Sequence, residues 1–280
     1  MSKAAVLKNN DFDPAFDIGL MTGAARSAAA GLRADFAALD TLVIDEKGPG
    51  DFVSRADRKA EETVVGILSA ARPDWGFLGE EGTDRRGNDA RFRWIIDPLD
   101  GTNNFVHGLP HWCVTIALER DGDIVAGVTY SPLLDEMFHA YKGGGVFLNG
   151  QPLKRMARKD LKNALIDVDP GHARRDAAQF AQFSKVVAAA EKHCAAVRIE
   201  GAGALDLCYL AAGRFDVMFH AGGAKPWDIA AGFLYAREQG LIVTTPEGKP
   251  AGIDNGLFLA AAPAMHKAFS ELIEWPHVPN

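Results

Sequence analysis

The chain has 280 residues, 48% hydrophobic and 24% charged, the make-up of an ordinary globular protein able to bury a large core. Its formal net charge of −7 argues against a general nucleic-acid binder, whose surface would be basic. Three cysteines, Cys113, Cys194 and Cys208, make no CxxC pair, which fits free thiols in a reducing cytoplasm far better than a disulfide framework or a zinc site.

The N-terminal stretch from Met1 holds no long apolar run, and no later window reaches the length of a membrane span, so no membrane partner is expected. Over residues 14–39, Phe16, Leu20, Ala24, Leu32 and Phe36 return near a 3.6-residue period, which predicts a helix. A short apolar run, Leu42-Val43-Ile44, precedes a Gly48-Pro49-Gly50 turn. A second helix, capped by Ser54 or Asp57, is expected to reach Ala71, with Pro73 ending it. Residues 75–80 read as a strand leading into Gly79-Glu80-Glu81-Gly82, and residues 83–89 as a surface loop.

The apolar run Trp94-Ile95-Ile96 reads as a buried strand that Pro98 stops, since proline donates nothing to a sheet ladder. Asp97 and Asp100 then leave on one turn at the strand's C-terminal end, where open α/β sheets hold their ligands. Two carboxylates so close repel unless a cation lies between them, and Mg²⁺ suits hard oxygen donors. Gly101 allows close approach of a ligand to the backbone, and Thr102 sets a hydroxyl beside free N–H groups suited to an anion. Carboxylates for a metal next to amides for an anion point to phosphate chemistry. An isolated Asp-Pro-x-Asp-Gly string is also common turn chemistry, so the rest of the chain must decide.

Residues 114–119, 124–131 and 136–141 predict antiparallel strands, with Asp121-Gly122 as a hairpin turn. Gly143-Gly144-Gly145 lacks the Gly-Lys-Ser/Thr ending of a P-loop and reads as a tight turn. Arg155, Arg158, Lys159 and Lys162 cluster as a solvated face. Beyond a join near residues 145–155, strands at 165–168, 197–199, 215–219 and 241–244 alternate with helices at 176–193, 204–212 and 227–239. The expected organisation is an N-terminal α+β half, 1–150, and a C-terminal α/β half, 151–280, forming one catalytic unit. Val197 to Asp206 carries a Gly-x-Gly string after a strand, but Asp206 stands where a dinucleotide fingerprint needs Gly or Ala.

Carboxylates occur where strand or turn gives way to helix in four places: Asp51…Asp57, Glu80-Glu81, Asp97…Asp100 and Trp227-Asp228. Asp57 and Asp228 each could serve as a helix cap, and Glu80-Glu81 as a solvated pair; four such places together are hard to explain by capping. In these stretches, and in Trp94 through Phe105 and Pro226 through Gly232, the chain resembles the inositol monophosphatase family of Mg²⁺-dependent, lithium-sensitive phosphatases. The resemblance runs from about residue 15 to 245. It implies a layered α/β/α/β/α sandwich of the inositol monophosphatase and fructose-1,6-bisphosphatase type, a cytoplasmic homodimer that hydrolyses a small phosphate ester by direct attack of water. It further implies two or three Mg²⁺ ions held by Glu80, Asp97, the Leu99 carbonyl, Asp100 and Asp228, with Asp57, Thr102 and Glu80 activating the water. Asp100, Gly101, Thr102, Gly203, His220 and Asp228 would contact substrate, and Lys47 matches a lysine near the first motif. His220 departs from the family pattern, standing where a glutamate usually binds the substrate's hydroxyls; it either selects another leaving group or faces solvent. Inositol 1-phosphate is the expected substrate type. Histidinol phosphate, fructose 1,6-bisphosphate, a 3′-phosphonucleotide, or a catalytically silent binding role remain alternatives.

Overall fold

The computed structural model describes residues 11–273 apart from 42–43 and 49–50; across 41–54 it describes the course of the backbone and not the side chains. The Leu42-Val43 part of the early apolar run and the Met1 stretch lie outside the described residues. Two sheets and three layers of helix alternate, in the order expected from the resemblance.

The outer layer pairs α1 (Pro14–Phe36) with α2 (Arg55–Ala71). Asp13 caps α1, accepting from the N–H groups of Ala15 and Phe16, and Pro14 supplies a pre-set first turn. Ala24, Ala25, Ala28 and Ala29 are buried on one face of α1, so that face can lie close against the sheet. Asp17 and Arg72 lock the two helices with a buried bidentate pair, both contacts at 2.9 Å. The short strands β1 (Ile44–Gly48) and β2 (Asp51–Ser54) form an antiparallel hairpin before α2.

The first sheet contains β3 (Gly76–Gly79), β4 (Asp84–Arg85), β5 (Phe92–Asp100), β6 (Cys113–Arg120), β7 (Asp123–Ser131), β8 (Glu136–Tyr141), β9 (Gly145–Leu148) and β10 (Gln151–Pro152). Its order is β10-β9-β8-β7-β6-β5-β3-β4, antiparallel except for the β3–β5 pair. β5 does not stop at Pro98 as the sequence suggests. It continues to Asp100, because the β5–β6 register slips between Asp97 and Asp100 and β3 has already ended opposite Ile96. Pro98 therefore occupies an irregular stretch of ladder, where a missing N–H costs little. The three-glycine segment is a turn between β8 and β9, and the Glu238 carboxylate accepts from the N–H groups of Gly143 and Gly145 there.

The second sheet contains β11 (Leu165–Asp169), β12 (Ala196–Arg198), β13 (Val217–Ala221), β14 (Ile242–Thr244) and β15 (Leu257–Ala261), in the order β12-β11-β13-β15-β14. Between the sheets lie α5 (Gly203–Ala212) and α6 (Pro226–Glu238), while α4 (Ala177–His193) and α7 (Pro263–Leu272) cover the far side. Both central helices are buried nearly all round, as helices flanked by two sheets must be. Gly127 and Gly232 set the spacing: a Cβ on Gly127 would lie 3.0 Å from Ala231, and one on Gly232 would lie 2.4 Å from Leu207.

The strand expected at 215–219 lies at 217–221, and residues 84–85 of the supposed loop are a short strand. The sequence reading stopped before β15 and α7, although Leu257-Phe-Leu-Ala-Ala between Asn255-Gly256 and Pro263 carries a strand signal.

Candidate active site

Four segments deliver their polar ends to one cavity of about 140 Å³ lined by Glu80, Asp97, Leu99, Asp100, Gly101, Thr102, Asp169, Gly201, Gly203, Met218, His220, Ala224, Asp228 and Ile229. Glu80 follows β3, Asp97 to Asp100 end β5, Asp169 ends β11, and Asp228 sits in the first turn of α6. The Glu80, Asp97, Asp100 and Asp228 expected from sequence are thus brought to one place from three distant stretches of chain. Among the described residues, no three acidic, histidine or cysteine side chains already close on a single point as a preformed metal cage.

The β5 terminus is tightly arranged. Asp97 Oδ1 accepts from the Leu99 N–H at 2.9 Å, which turns the chain so that Asp97 and Asp100 face the same cavity. Gly101 takes φ +88°, the left-handed region that favours glycine, and a Cβ there would lie 2.9 Å from the His111 carbonyl oxygen. The short helix α3 (Thr102–Val106) then begins, a helix not foreseen from sequence. The Thr102 hydroxyl lies 3.0 Å from the Leu99 carbonyl oxygen and 3.3 Å from Asp57 Oδ1. Asp57 is in the first turn of α2 and is buried, so it is not simply a surface cap.

Asp100 Oδ2 accepts from Ala204 N at 2.8 Å and from Leu205 N at 3.4 Å, at the start of α5. The helix N-terminus that a dinucleotide pyrophosphate would need is therefore occupied by this chain's own carboxylate. Asp206 also turns inward, where it meets His111 Nε2 at 2.7 Å and Ala202 N at 3.3 Å. The nucleotide-fingerprint alternative has no cradle left to use. Gly203 lines the cavity as expected. Asp228 Oδ2 accepts from the Lys225 N–H at 2.7 Å, which fixes the carboxylate at the cavity wall as well as capping the helix.

The electrostatics are those of crowded acids. Burial, and then the charges of Glu80, Asp100 and Asp228, push the Asp97 carboxyl well above the usual carboxylate range. Burial raises Asp100 to about 6 against the pull of the α5 amides. Asp228 is raised by burial and by Asp100. A hard divalent cation relieves such repulsion, and carboxylate and carbonyl oxygens are its preferred donors. The residues present fit Mg²⁺.

His220 does not face solvent; it is 6% exposed, stacked on Phe258 and 3.8 Å from Asp169 Oδ1. Its Nδ1 accepts from the Gly222 N–H at 3.2 Å, which places the ring proton on Nε2, toward the Asp169 side. Burial lowers its pKa, so the ring is neutral near pH 7. Lys47 lies in β1, and its side chain lies outside those described.

Two residues escaped the sequence reading. Asp169 closes β11 just before Pro170-Gly171, the same strand-end acid signature as Asp97-Pro98, and that signal was available. Glu61 is buried mid-helix in α2 and accepts from Glu81 N at 2.8 Å and Thr83 N at 3.0 Å, bracketing the Glu80 turn. Only its neighbour in space reveals it: a Cβ on Gly79 would fall 2.4 Å from the Glu61 carboxylate.

Fold and site together define a layered α/β phosphatase with an acidic, metal-suited cavity beside a glycine-threonine turn. The model of the inositol monophosphatase family matches residues 17–274. An inositol-1-monophosphatase of Rhizobium meliloti is 41% identical over 259 residues, which cover 92% of this chain and 96% of that protein. A Nus factor SuhB of Vibrio cholerae is 37% identical over 250 residues, covering 89% of this chain and 92% of that one. The crystal structure of the extragenic suppressor protein suhB from Bartonella henselae superposes with a TM-score of 0.85 at 38% identity, covering 92% and 98% of the two chains. The chain belongs to the inositol monophosphatase family and is a phosphomonoester hydrolase. Among the described residues no helix is long and apolar enough to cross a membrane.

Proposed function

We propose that this chain hydrolyses a small, hydroxyl-bearing phosphate ester of the inositol 1-phosphate type, with Mg²⁺ as cofactor and water as the attacking group. One observation carries this: carboxylates from β3, β5 and α6 converge on one cavity beside the Gly101-Thr102 turn. The relative from Rhizobium meliloti is named for inositol 1-phosphate, and the donor set matches that chemistry.

Glu80, Asp97, the Leu99 carbonyl, Asp100 and Asp228 would hold two or three Mg²⁺ ions, which when bound neutralise the ester dianion and lower the pKa of water. The protein's own groups do the positioning. Thr102 Oγ1 is held between Asp57 and the Leu99 carbonyl, so its orientation is set before substrate arrives. Thr102, Asp57 and Glu80 would orient the attacking water and take up its proton. The N–H groups of Gly101 and Thr102 would hold phosphoryl oxygens in line for attack. Asp100 and Asp228 would border the ester oxygen, while Gly203 shapes the wall. No side-chain nucleophile is needed in this scheme. The neutral His220, with Nε2–H as donor, and Asp169, as acceptor, would contact hydroxyls of the leaving group. A cytoplasmic homodimer is the expected form.

The test is phosphate release from inositol 1-phosphate with and without Mg²⁺. Mg²⁺-dependent turnover supports the reading, whereas no turnover at any Mg²⁺ concentration, or a trapped phosphoryl-enzyme, refutes it.

A further inference from the structure

Beyond the acidic inner cavity, the cleft widens toward a mouth lined by His172, Arg174, Arg175 and Lys225. In a chain of net charge −7, this concentration of cationic groups at one opening is unexpected. Arg174, Arg175 and Lys225 are exposed, and among the described residues none of the three is ion-paired. Arg175 and Lys225 are therefore available to a ligand, and Arg174 keeps its two terminal nitrogens for one while its Nε is bonded within the loop.

The loop that carries them is built in place. Asp169 Oδ1 accepts from Gly171 N at 2.6 Å, His172 N donates to the Gly222 carbonyl at 2.9 Å, and Arg174 Nε donates to the Gly171 carbonyl at 3.1 Å. A Cβ on Gly171 would lie 2.0 Å from that Gly222 oxygen, and one on Gly223 would lie 2.3 Å from the His172 ring. The loops after β11 and β13 are thus pressed together, and the cationic side chains project from a fixed base. Between them and the inner carboxylates lie Asp169 and His220, which line both parts of the cleft.

We propose that Arg174, Arg175 and Lys225 form a second anion subsite, which extends the substrate range beyond inositol 1-phosphate to phosphate esters whose leaving group carries a further phosphate or carboxylate. This rests on the phosphatase reading, in which the reacting phosphate occupies the inner cavity. Guanidinium groups suit the role because their forked donors match phosphate and carboxylate geometry. The leaving group would then span from Asp169 and His220 to the mouth.

The experiment compares phosphate release from fructose 1-phosphate and fructose 1,6-bisphosphate by the full chain with Mg²⁺. These probes share the reacting 1-phosphate; the bisphosphate adds a phosphate at C6, which also confines the sugar to its furanose form, so the salt dependence and the variant's loss on each probe separate charge recognition from ring form. The expected result is a kcat/KM about tenfold or more higher for the bisphosphate, carried by KM, as charge-assisted contacts away from the reacting atoms should act. Raising salt from about 20 to about 200 mM should shrink that preference, because the mouth is solvated and screened. R174Q/R175Q should lose about tenfold on the bisphosphate and less than about twofold on the monophosphate. Equal kcat/KM for the two probes, or equal losses on both in the variant, would overturn the subsite while leaving the phosphatase reading intact. Hydrolysis of neither probe, nor of inositol 1-phosphate, would instead sink the phosphatase reading and the subsite with it. Should the variant fail to fold, the salt dependence of the wild-type preference decides.

Discussion

Glu61 makes no contact with the cavity, yet the structure makes it a determinant of the site. Its carboxylate is 4% exposed and holds two backbone N–H groups, of Glu81 and Thr83, at 2.8 and 3.0 Å. Those bonds, with Gly79 N to the Thr83 carbonyl and Glu80 N to the Ile96 carbonyl, fix the turn that presents Glu80. Bonds from a backbone N–H to a charged group contribute about 1.5–3 kcal/mol each, and an orphaned buried donor costs about 1–3 kcal/mol. Glu61→Leu removes both bonds but also the cost of burying a carboxylate, so the net loss should be about 2–4 kcal/mol. Glu61→Gln retains one acceptor oxygen and sets its NH₂ against the other donor, for a loss of about 2 kcal/mol. Because Glu80 would then sample several positions, kcat should fall by about tenfold or more in both variants, with a smaller change in KM. Urea midpoints and steady-state phosphate release provide the two readouts. A Glu61→Gln protein with wild-type stability and activity within twofold would refute the idea that this carboxylate holds the Glu80 turn.

Asp97→Asn should cut turnover by about a thousandfold while leaving the far-ultraviolet circular dichroism unchanged, and near-normal rates would remove Asp97 from the metal site. The metal-free protein should lose stability as pH rises from about 4 to about 6. Folded Asp100 keeps its proton up to about 6 against an ordinary value of 3.8, so the unfolded chain binds fewer protons across that window. The gap is worth about 3 kcal/mol, is fully expressed above pH 6, and should be offset by Mg²⁺; a flat metal-free profile over that range would contradict it. Asp17→Ala strands the buried Arg72 guanidinium and should cost about 3–5 kcal/mol, seen as a lower Tm with little change in KM for the remaining folded enzyme.

Glu80, Asp97, Asp100 and Asp228, which line the cavity, were legible along the chain. Asp97-Pro-Leu-Asp-Gly-Thr, Gly-Glu80-Glu and Trp-Asp228 are local strings, so the place of each carboxylate at the end of a strand or start of a helix can be read without the fold. Periodicity likewise located α1, α2, α4 and most of the sheet strands, because burial on one face leaves a repeat that can be counted along the chain. The remainder came from packing between segments far apart in the chain. Pro98 continues β5 because a neighbouring strand ends and another slips register, which no local rule encodes. The α5 amides go to Asp100 rather than to a ligand across about a hundred residues of chain, and Glu61 reaches the Glu80 turn from mid-helix. Whether His220 faced solvent or the cavity depended on Phe258, Gly222 and Asp169 closing around it. A carboxylate or imidazole takes its protonation state and its partners from what is packed against it, and those neighbours are chosen by the fold, not by adjacency in the chain.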